Sequence, residues 1–523
     1  MSKSNYPALV LTLLITTGLL GGGIWYLRKT SPGLFFGVTN QSFGSGSTNP
    51  KTSTQLTLLG DTFSGYSTFR SEAFQSALAE FGVGLNYEDE FDQGQRAARL
   101  TQGKADLLVT TLDQFLQQQP QGKIVGLIDR TIGADAVVLN TKKYPNLKSL
   151  QDLGQLIQQA RAQGQSLGVA FAGDTPSEYL ALVLDTKFEA FKLADFEQKR
   201  VTDASEAWSL MQDPNQTVAI AVLWEPFVTQ ARQRGYTVVL SSNDAPNSIV
   251  DVIVASDRLI QSQPDQISEL LEVYYRHIDV NIRDASQLQA QIAADGGLSA
   301  ADAGAVLQGI DFFTATEAQS WMTDETLKRR VGAIAAVLVL SGRLNQVPQT
   351  PEALFTNQFL TKAATNTQTL IELVRADNPA LAERLAGNEK QPAAAPQVTA
   401  SQVQAAPNIG NLQVQGKVEF TTGSAQLTGV GQQTLAGLVK EIQEFNPQTV
   451  AVRVIGHTSQ TGPAGFNQTL SQQRAQVVVT YLRSKGIQHN IAAEGKGFSQ
   501  PLPGVAPTNV KNQRTEIRLV RVN

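Results

Sequence analysis

No cysteine occurs anywhere in the 523 residues. Disulfides, thiol nucleophiles and thiolate metal sites are therefore excluded, whichever compartment the chain occupies. Histidine is nearly as scarce: His277, His457 and His489 are the whole set, far apart and without ligand-like spacing. A histidine metal centre needs convergent ligands, and this spacing supplies none. Aspartate is missing from residues 411–523, where eleven Lys and Arg stand against five Glu, a net charge of +6. The whole chain carries −4, so the remainder is at −10. Parts with such opposite fields belong to different domains. No nucleophile, base and orienting group can be assembled from the sequence, so neither an enzymatic activity nor a cofactor is expected.

What is present is enough for two or three globular domains, with 41% apolar and 17% charged residues. Residues 7–27, "PALVLTLLITTGLLGGGIWYL", run for 21 positions without a charge. As a helix they would reach about 30 Å, the thickness of a bilayer core. Trp25 and Tyr26 would sit at headgroup level, with Arg28 and Lys29 ending the span. An uncleaved transmembrane anchor is expected; the rival is a cleaved signal peptide with Gly21 and Gly23 near the cut. Lys3 on one side and Arg28 and Lys29 on the other leave the orientation undecided by charge. Residues 28–54, Gly-, Ser-, Thr- and Asn-rich over 37–54, read as a flexible linker, and 388–408 as an Ala/Pro/Gln linker. They delimit 55–387 and 409–523.

Between the linkers, short apolar runs alternate with amphipathic stretches. "LTLLG" (56–60), "DLLVTT" (106–111), "KIVGLI" (123–128), "DAVVLN" (135–140), "LGVAFAG" (167–173), "VAIAVL" (218–223), "YTVVLSS" (236–242) and "DVIVAS" (251–256) read as strands. "TFRSEAFQSALAEFG" (68–82) has near-helical apolar spacing. This alternation predicts an α/β fold with mainly parallel sheets. Through "GKADLLVTT", "GLIDRTIGADAVVLN", "AVLWEPFVTQARQRGYTVVLSS" and "DVIVASDRLIQSQPDQISELL", residues 55–345 resemble type II periplasmic solute-binding proteins of the sulfonate, nitrate and thiamine-precursor kind. The resemblance implies two lobes, about 55–140 plus 250–345 and about 145–245, joined by crossing strands near 135–140 and 251–256. A small-molecule solute would bind between them, and an ABC transporter is the partner such a module would serve.

Helix N-termini carry unpaired N–H groups, so loops that start helices are the candidate contacts. Tyr66, Ser67, Thr111, Arg130, Thr175 and Trp224 are the candidate solute-binding residues. Each has a plainer reading. Thr111–Gln114 and Thr175–Glu178 have the form of capping boxes, the second with proline at its first helical position. Trp224 fits at a lobe edge, and Arg70 and Arg130 could pair with Asp61 and Asp129. Acidic and basic residues mix in these loops, so the charge of the solute is open.

The last region reads strand, turn and helix over 416–445, a half-buried strand over 449–458, a helix over 470–487 and a strand over 515–522. That order suits a small α/β sandwich. The ordered words "F-x-x-G-S-A-x-L" (420–427), "G-H-T" (456–458), "N-x-x-L-S-x-x-R-A" (467–475), "G-x-G" (495–497) and "N-x-R-x-E-I" (512–517) resemble the OmpA-like peptidoglycan-binding domains. In that family an aspartate after "H-T" takes the ammonium of diaminopimelate, and the arginine of "L-S-x-x-R-A" its carboxylate. The resemblance therefore implies peptidoglycan contact through Arg474, Asn467, Thr458, Arg514 and the position of Ser459. Two positions depart from the pattern: Ser459 stands where the aspartate is usual, and Gln513 replaces the first of two arginines. No Asp or Glu lies between Phe445 and Ala493, leaving Glu419, Glu494 or Glu516 to make up the lost charge.

Together these readings predict a single-pass inner-membrane protein with periplasmic domains, one for a solute and one for peptidoglycan, and no nucleic-acid partner. The alternatives are a structural envelope linker without solute binding, or an OmpA-like domain that docks a protein.

Overall fold

The computed structural model describes residues 54–225, 227–246, 248–387, 397–414 and 416–522. The expected anchor (7–27) and nearly all of the first linker lie outside them. Among the described residues no helix is long and apolar enough to cross a membrane.

Two sheets make the central region, and both are built alike. The first holds β1 (Thr54–Gly60), β2 (Val83–Asp89), β3 (Leu107–Thr111), β4 (Gly122–Thr131), β10 (Val250–Ser256) and β11 (Ile310–Phe312) in the order β11-β4-β10-β3-β1-β2. The second holds β5 (Asp135–Leu139), β6 (Gly168–Ala172), β7 (Glu197–Val201), β8 (Val218–Trp224) and β9 (Thr237–Ser241) in the order β7-β6-β8-β5-β9. In each, one strand arrives from the other lobe and inserts antiparallel between the third and fourth native strands: β10 in the first, β5 in the second. The inserted strands are buried along their whole length, as β10 and β5 show. This accounts for their mainly apolar sequence, Asp135 and Asp251 being the charged exceptions.

The crossings therefore lie outside the strands expected to make them. The chain passes between lobes at 132–134 and 242–249, while 135–139 and 250–256 are interior to the two sheets. Gly133 takes a φ of 105°, open to glycine and strained for other residues. Its N–H donates to Ser242 Oγ at 2.7 Å, tying one crossing to the other. The helix expected over 68–82 is broken at Ser71, whose extended ψ of 137° restarts it as Glu72–Ala79. Helix Thr326–Leu340 packs against Leu112–Gln118 of the first lobe and Pro176–Lys187 of the second. Beyond its end, Arg343 pairs with Glu178, so both lobes are braced together.

The stretch 397–408, expected to be linker, is folded from Thr399 on. Thr399 and Gln402 form a capping box for helix Ala400–Ala405, and Val403 is buried against Ala451, Ala492 and Val520. β12 (Asn408–Asn411) then pairs with β15 (Thr515–Arg521), giving the sheet β12-β15-β13-β14 with β13 (Val450–Gly456) and β14 (Ile491–Gly495). The first strand of this domain is thus β12. The expected strand near 416–420 is reduced to one bridge, Phe420 with Leu427. Helices Gly429–Gln443 and Ala464–Ser484 belong to the same domain, and the second of these contacts β13 and β14.

This C-terminal domain is docked on the second lobe. Gln413 donates to the Lys187 carbonyl at 2.7 Å and Glu189 to the Asn411 carbonyl at 3.1 Å. Phe188 meets Phe445 edge-on at 6.2 Å, and Gly410 lies so close that an added Cβ would come within 2.9 Å of Phe188 and 3.1 Å of Leu150. Lys187 pairs with Glu441 and Arg330 with Glu444. At the second crossing, Asn446 donates to the Asp244 carbonyl at 2.8 Å, and Arg521 pairs with the Asp244 carboxylate. Leu150, Phe188, Leu412 and Phe445 are all buried in one continuous core. A valine at Gly410 overpacks this joint, which typically costs about 1–3 kcal/mol. Calorimetry of the native protein is expected to give one transition for the central and C-terminal regions, and of Gly410→Val two. Two transitions already in the native protein would mean that the joint does not couple the domains.

Candidate functional site

Two sites follow from this scaffold. The first is the set of candidate residues near the ends of the central strands. Tyr66 is 2% exposed, and its hydroxyl donates to Asp251 on β10. Ser67 is buried and accepts from Arg70 at 3.1 Å. Arg70 reaches Asp295 at 3.0 Å, and of Asp61 it takes only the carbonyl. Arg130 is held by Asp311 at 2.6 Å and Glu317 at 2.8 Å, over the rings of Phe313 and Trp321. Its expected partner was Asp129; strand β11, absent from the sequence reading, brings Asp311 beside it. Thr111 does not cap its helix through its side chain, and the Asp113 carboxylate accepts from Gln114 Nε2 at 3.0 Å. Thr175 does cap, accepting from Ser177 at 3.2 Å, while Glu178 accepts from the Asp174 N–H rather than completing the box. Trp224 is half-buried at the end of β8, packed on the second-lobe core.

These side chains share one end of the lobes, but Tyr66, Ser67 and Arg130 are already engaged with protein groups. Sequence reasoning missed the acids between them. Asp113, Asp129, Asp135 and Asp251 are all buried. Burial raises the Asp113 carboxyl to about 6, against the pull of Thr111 and Gln114. It raises Asp135 to about 7, with Glu225 adding to the shift and Ser177 opposing it. Burial, then the nearby Asp129, raises Asp251 as well. Their apolar neighbours were readable; the convergence of strands from distant positions was not.

The second site is at the end of β13 in the C-terminal domain. Gly456 lies against the Ser471 carbonyl, where a Cβ would stand only 2.2 Å away, so strand and helix touch directly. Helix Ala464–Ser484 starts two turns earlier than expected and includes Asn467. Asn467 Nδ2 donates to the Thr461 carbonyl at 2.9 Å and that of Pro463 at 3.1 Å, which fixes the loop entering the helix. Two turns on, Arg474 Nε donates to the Ser424 carbonyl at 2.9 Å, and the guanidinium lies 5.1 Å from the Phe420 ring centroid. Burial lowers the pKa of Arg474.

On the strand side, Thr458 is buried, its N–H donating to the Gly497 carbonyl at 2.8 Å. Ser459 Oγ accepts from Gln513 Nε2 at 3.0 Å. The two departures from the family pattern thus touch each other: a neutral hydrogen bond occupies their place. Glu516 is the nearby carboxylate, and it is fully engaged. It accepts from Arg514 Nη2 at 2.6 Å and Arg518 Nη2 at 2.7 Å, and lies 3.2 Å from His457 Nε2. His457 and the two arginines hold its pKa far below the usual carboxylate range despite burial. Glu494 is bound to Arg453 at 2.8 Å and to Lys496. Of the three acids that could have made up the charge, two are therefore committed elsewhere, and Glu419 forms no ion pair with Arg474.

The strand orders and crossings make the central region a two-lobed α/β fold, and residues 419–515 of the C-terminal domain match the OmpA family. The "Outer membrane protein A" of Shimwellia blattae is 43% identical over 97 residues, 18% of this chain and 40% of that protein. That of Citrobacter freundii is 37% identical over 123 residues, 23% of this chain and 52% of that protein. The chain thus spans about half or less of these relatives' length. Among solved structures, the periplasmic aliphatic sulphonate binding protein SsuA of Escherichia coli aligns with 59% of this chain and 99% of its own, at 15% identity and a TM-score of 0.46. The nitrate-binding protein NrtA of Synechocystis PCC 6803 covers 63% of this chain and 90% of its own, at 13% identity and a TM-score of 0.42. The two-lobed architecture rests on the strand orders, not on these likenesses.

The buried Asp135 makes the stability of the fold sensitive to pH. Asp135 is ionised in the unfolded chain well below the pH at which it ionises in the fold. Its stabilising contribution is fully present below about pH 4 and is lost as pH rises through about 7. Asp135→Asn keeps the side chain neutral throughout. The variant is expected to melt above the native protein at pH 8 and close to it at pH 4. Equal shifts at both values would show that Asp135 does not ionise late.

Proposed function

We propose that this protein is a cell-envelope binding protein that takes a small solute between its two lobes and contacts peptidoglycan through its C-terminal domain. The observation that carries the reading is the OmpA-family match over 419–515, docked on a two-lobed α/β module. In this reading both folded regions lie outside the cytoplasmic membrane, held to it by residues 7–27, and an ABC transporter is the partner of the central module. Arg474 takes a ligand carboxylate, Asn467 sets the loop, and Thr458 and Ser459 offer neutral hydrogen bonds. Arg514 holds Glu516 in place rather than meeting the ligand.

A structural envelope linker is the second reading. The brace from Thr326–Leu340 across both lobes favours it, with the Arg343–Glu178 pair, because both resist opening.

The C-terminal excess of positive charge adds attraction to anionic wall polymers, which salt screens over about 10 Å at 0.1 M. Full-length protein is expected to sediment with isolated sacculi at low salt and to be largely released near 0.5 M. Arg474→Ala is expected to abolish the salt-resistant remainder. Retention of the variant at native levels would remove Arg474 from the site. For the central module, a metabolite screen by thermal shift separates the readings, since saturating ligand at 100 times its Kd adds about 2.7 kcal/mol. If no metabolite raises the melting temperature, the linker reading stands in place of solute binding.

A further inference from the structure

One short stretch of the C-terminal domain, 441–446, touches the second lobe, the helix that braces it to the first, and the second crossing. Glu441, in the last turn of helix Gly429–Gln443, pairs with Lys187 at the end of second-lobe helix Pro176–Lys187. Glu444, just past the same helix, pairs with Arg330 of helix Thr326–Leu340. That brace follows the first-lobe strand β11 and packs on Leu112–Gln118. Phe445 meets Phe188 of the second lobe edge-on. Asn446 holds the crossing: its N–H donates to the Asp244 carbonyl at 2.8 Å and its Nδ2 to the Asn243 carbonyl at 3.0 Å. From the last strand, Arg521 pairs with Asp244 and donates from Nη1 to the Val238 carbonyl at 2.8 Å.

Two lobes joined by two short crossings rotate about them unless something outside the hinge spans both sides. Within the central region the span is easily given up. Arg343 joins the brace to Glu178, but Glu178 also pairs with Arg200 and accepts from the Asp174 N–H at 2.7 Å. Losing Arg343 therefore leaves no buried charge unpaired. The Gly133–Ser242 bond ties crossing to crossing, not lobe to lobe. The C-terminal domain is the firmer span. If the second lobe turns relative to the brace, either the Glu441 pair or the Glu444 pair must break. We propose that the C-terminal domain is a clamp on the hinge: docked, it fixes the two lobes in one mutual setting, and its release frees them to rotate. The inference does not depend on what either domain binds. By linkage, whatever favours a rotated setting of the lobes also favours release of the clamp, by the same factor.

The chain has no cysteine, so introduced cysteines are its only thiols. Spin labels on Lys104→Cys in the first lobe and Gln165→Cys in the second, both exposed positions, report the distance between lobes in the full chain by double electron–electron resonance. A second labelled chain, Gln165→Cys with Gln476→Cys, reports docking of the C-terminal domain. The native chain is expected to give one narrow distance for each pair. Reversing both charges, Glu441→Lys with Glu444→Arg, sets like charges against Lys187 and Arg330 and is expected to shift and broaden both distances. Adding Lys187→Glu with Arg330→Glu restores the two ion pairs and is expected to return both distances to native. If the reversal costs the central region its cooperative melting, the milder Glu441→Gln with Glu444→Gln carries the test. Three results overturn the proposal. A broad lobe distance in the native, docked chain means that nothing is clamped. A native lobe distance in an undocked variant means that the lobes hold themselves. A docking distance unmoved by the variants means that 441–446 is not what holds the joint.

Discussion

Asp244 is the point on which the arrangement of the parts depends. Its carboxylate is 3% exposed and lies in the second crossing between lobes. It accepts from the Ser241 N–H at 2.8 Å and hydroxyl at 3.0 Å, which shapes the chain as it leaves β9. It also pairs with Arg521, at the last strand of the C-terminal domain, and its carbonyl receives the Asn446 N–H. A buried carboxylate must be paired, and here the pairing partner comes from another domain. The hinge of the two-lobed module and the placement of the C-terminal domain are therefore satisfied by one group. Neither can shift far without exposing an unpaired charge.

A second buried carboxylate links that joint to the wall site. Glu516 binds Arg514 near the ligand side, and Arg518 bridges from it to Asn411 at 2.9 Å. Asn411 in turn lies on the strand edge that meets Glu189 of the second lobe. The network has few members and nearly all are charged, so each bond is of the stronger, charge-assisted kind. It also explains why Glu516 cannot serve a ligand: its lone pairs are already taken by Arg514, Arg518 and His457 within the C-terminal domain.

The inner strands were legible in the sequence because strands buried on both faces are mainly apolar. β3, β5, β6, β8 and β10 all appear as such runs. The edges were not. β7 reads "EQKRV", polar on both faces, and its pairing with β6 is visible only in three dimensions. β12 was hidden by composition, since an Ala/Pro/Gln stretch resembles a linker unless the box at Thr399 and Gln402 is weighed with Val403 and Ile409. The C-terminal site was legible in its parts, Arg474, Asn467 and the departures at 459 and 513. Contact between those two departures, 54 positions apart, was not. The cleft was the least legible. Candidate side chains were chosen for their loops, whereas burial and distant partners decide which remain available. Arg130, claimed by Asp311 and Glu317, is the clear case.

The docked joint also determines how the molecule would bear a pull. Suppose the C-terminal domain is held by a fixed network and tension is applied from the N-terminal side of the central module. The load then passes through the face where 187–189 lies beside 411–413. There several hydrogen bonds, ion pairs and an apolar contact are loaded together and must break together. The joint would thus act as a mechanical fuse: rigid at small forces, and giving way only when the whole face does.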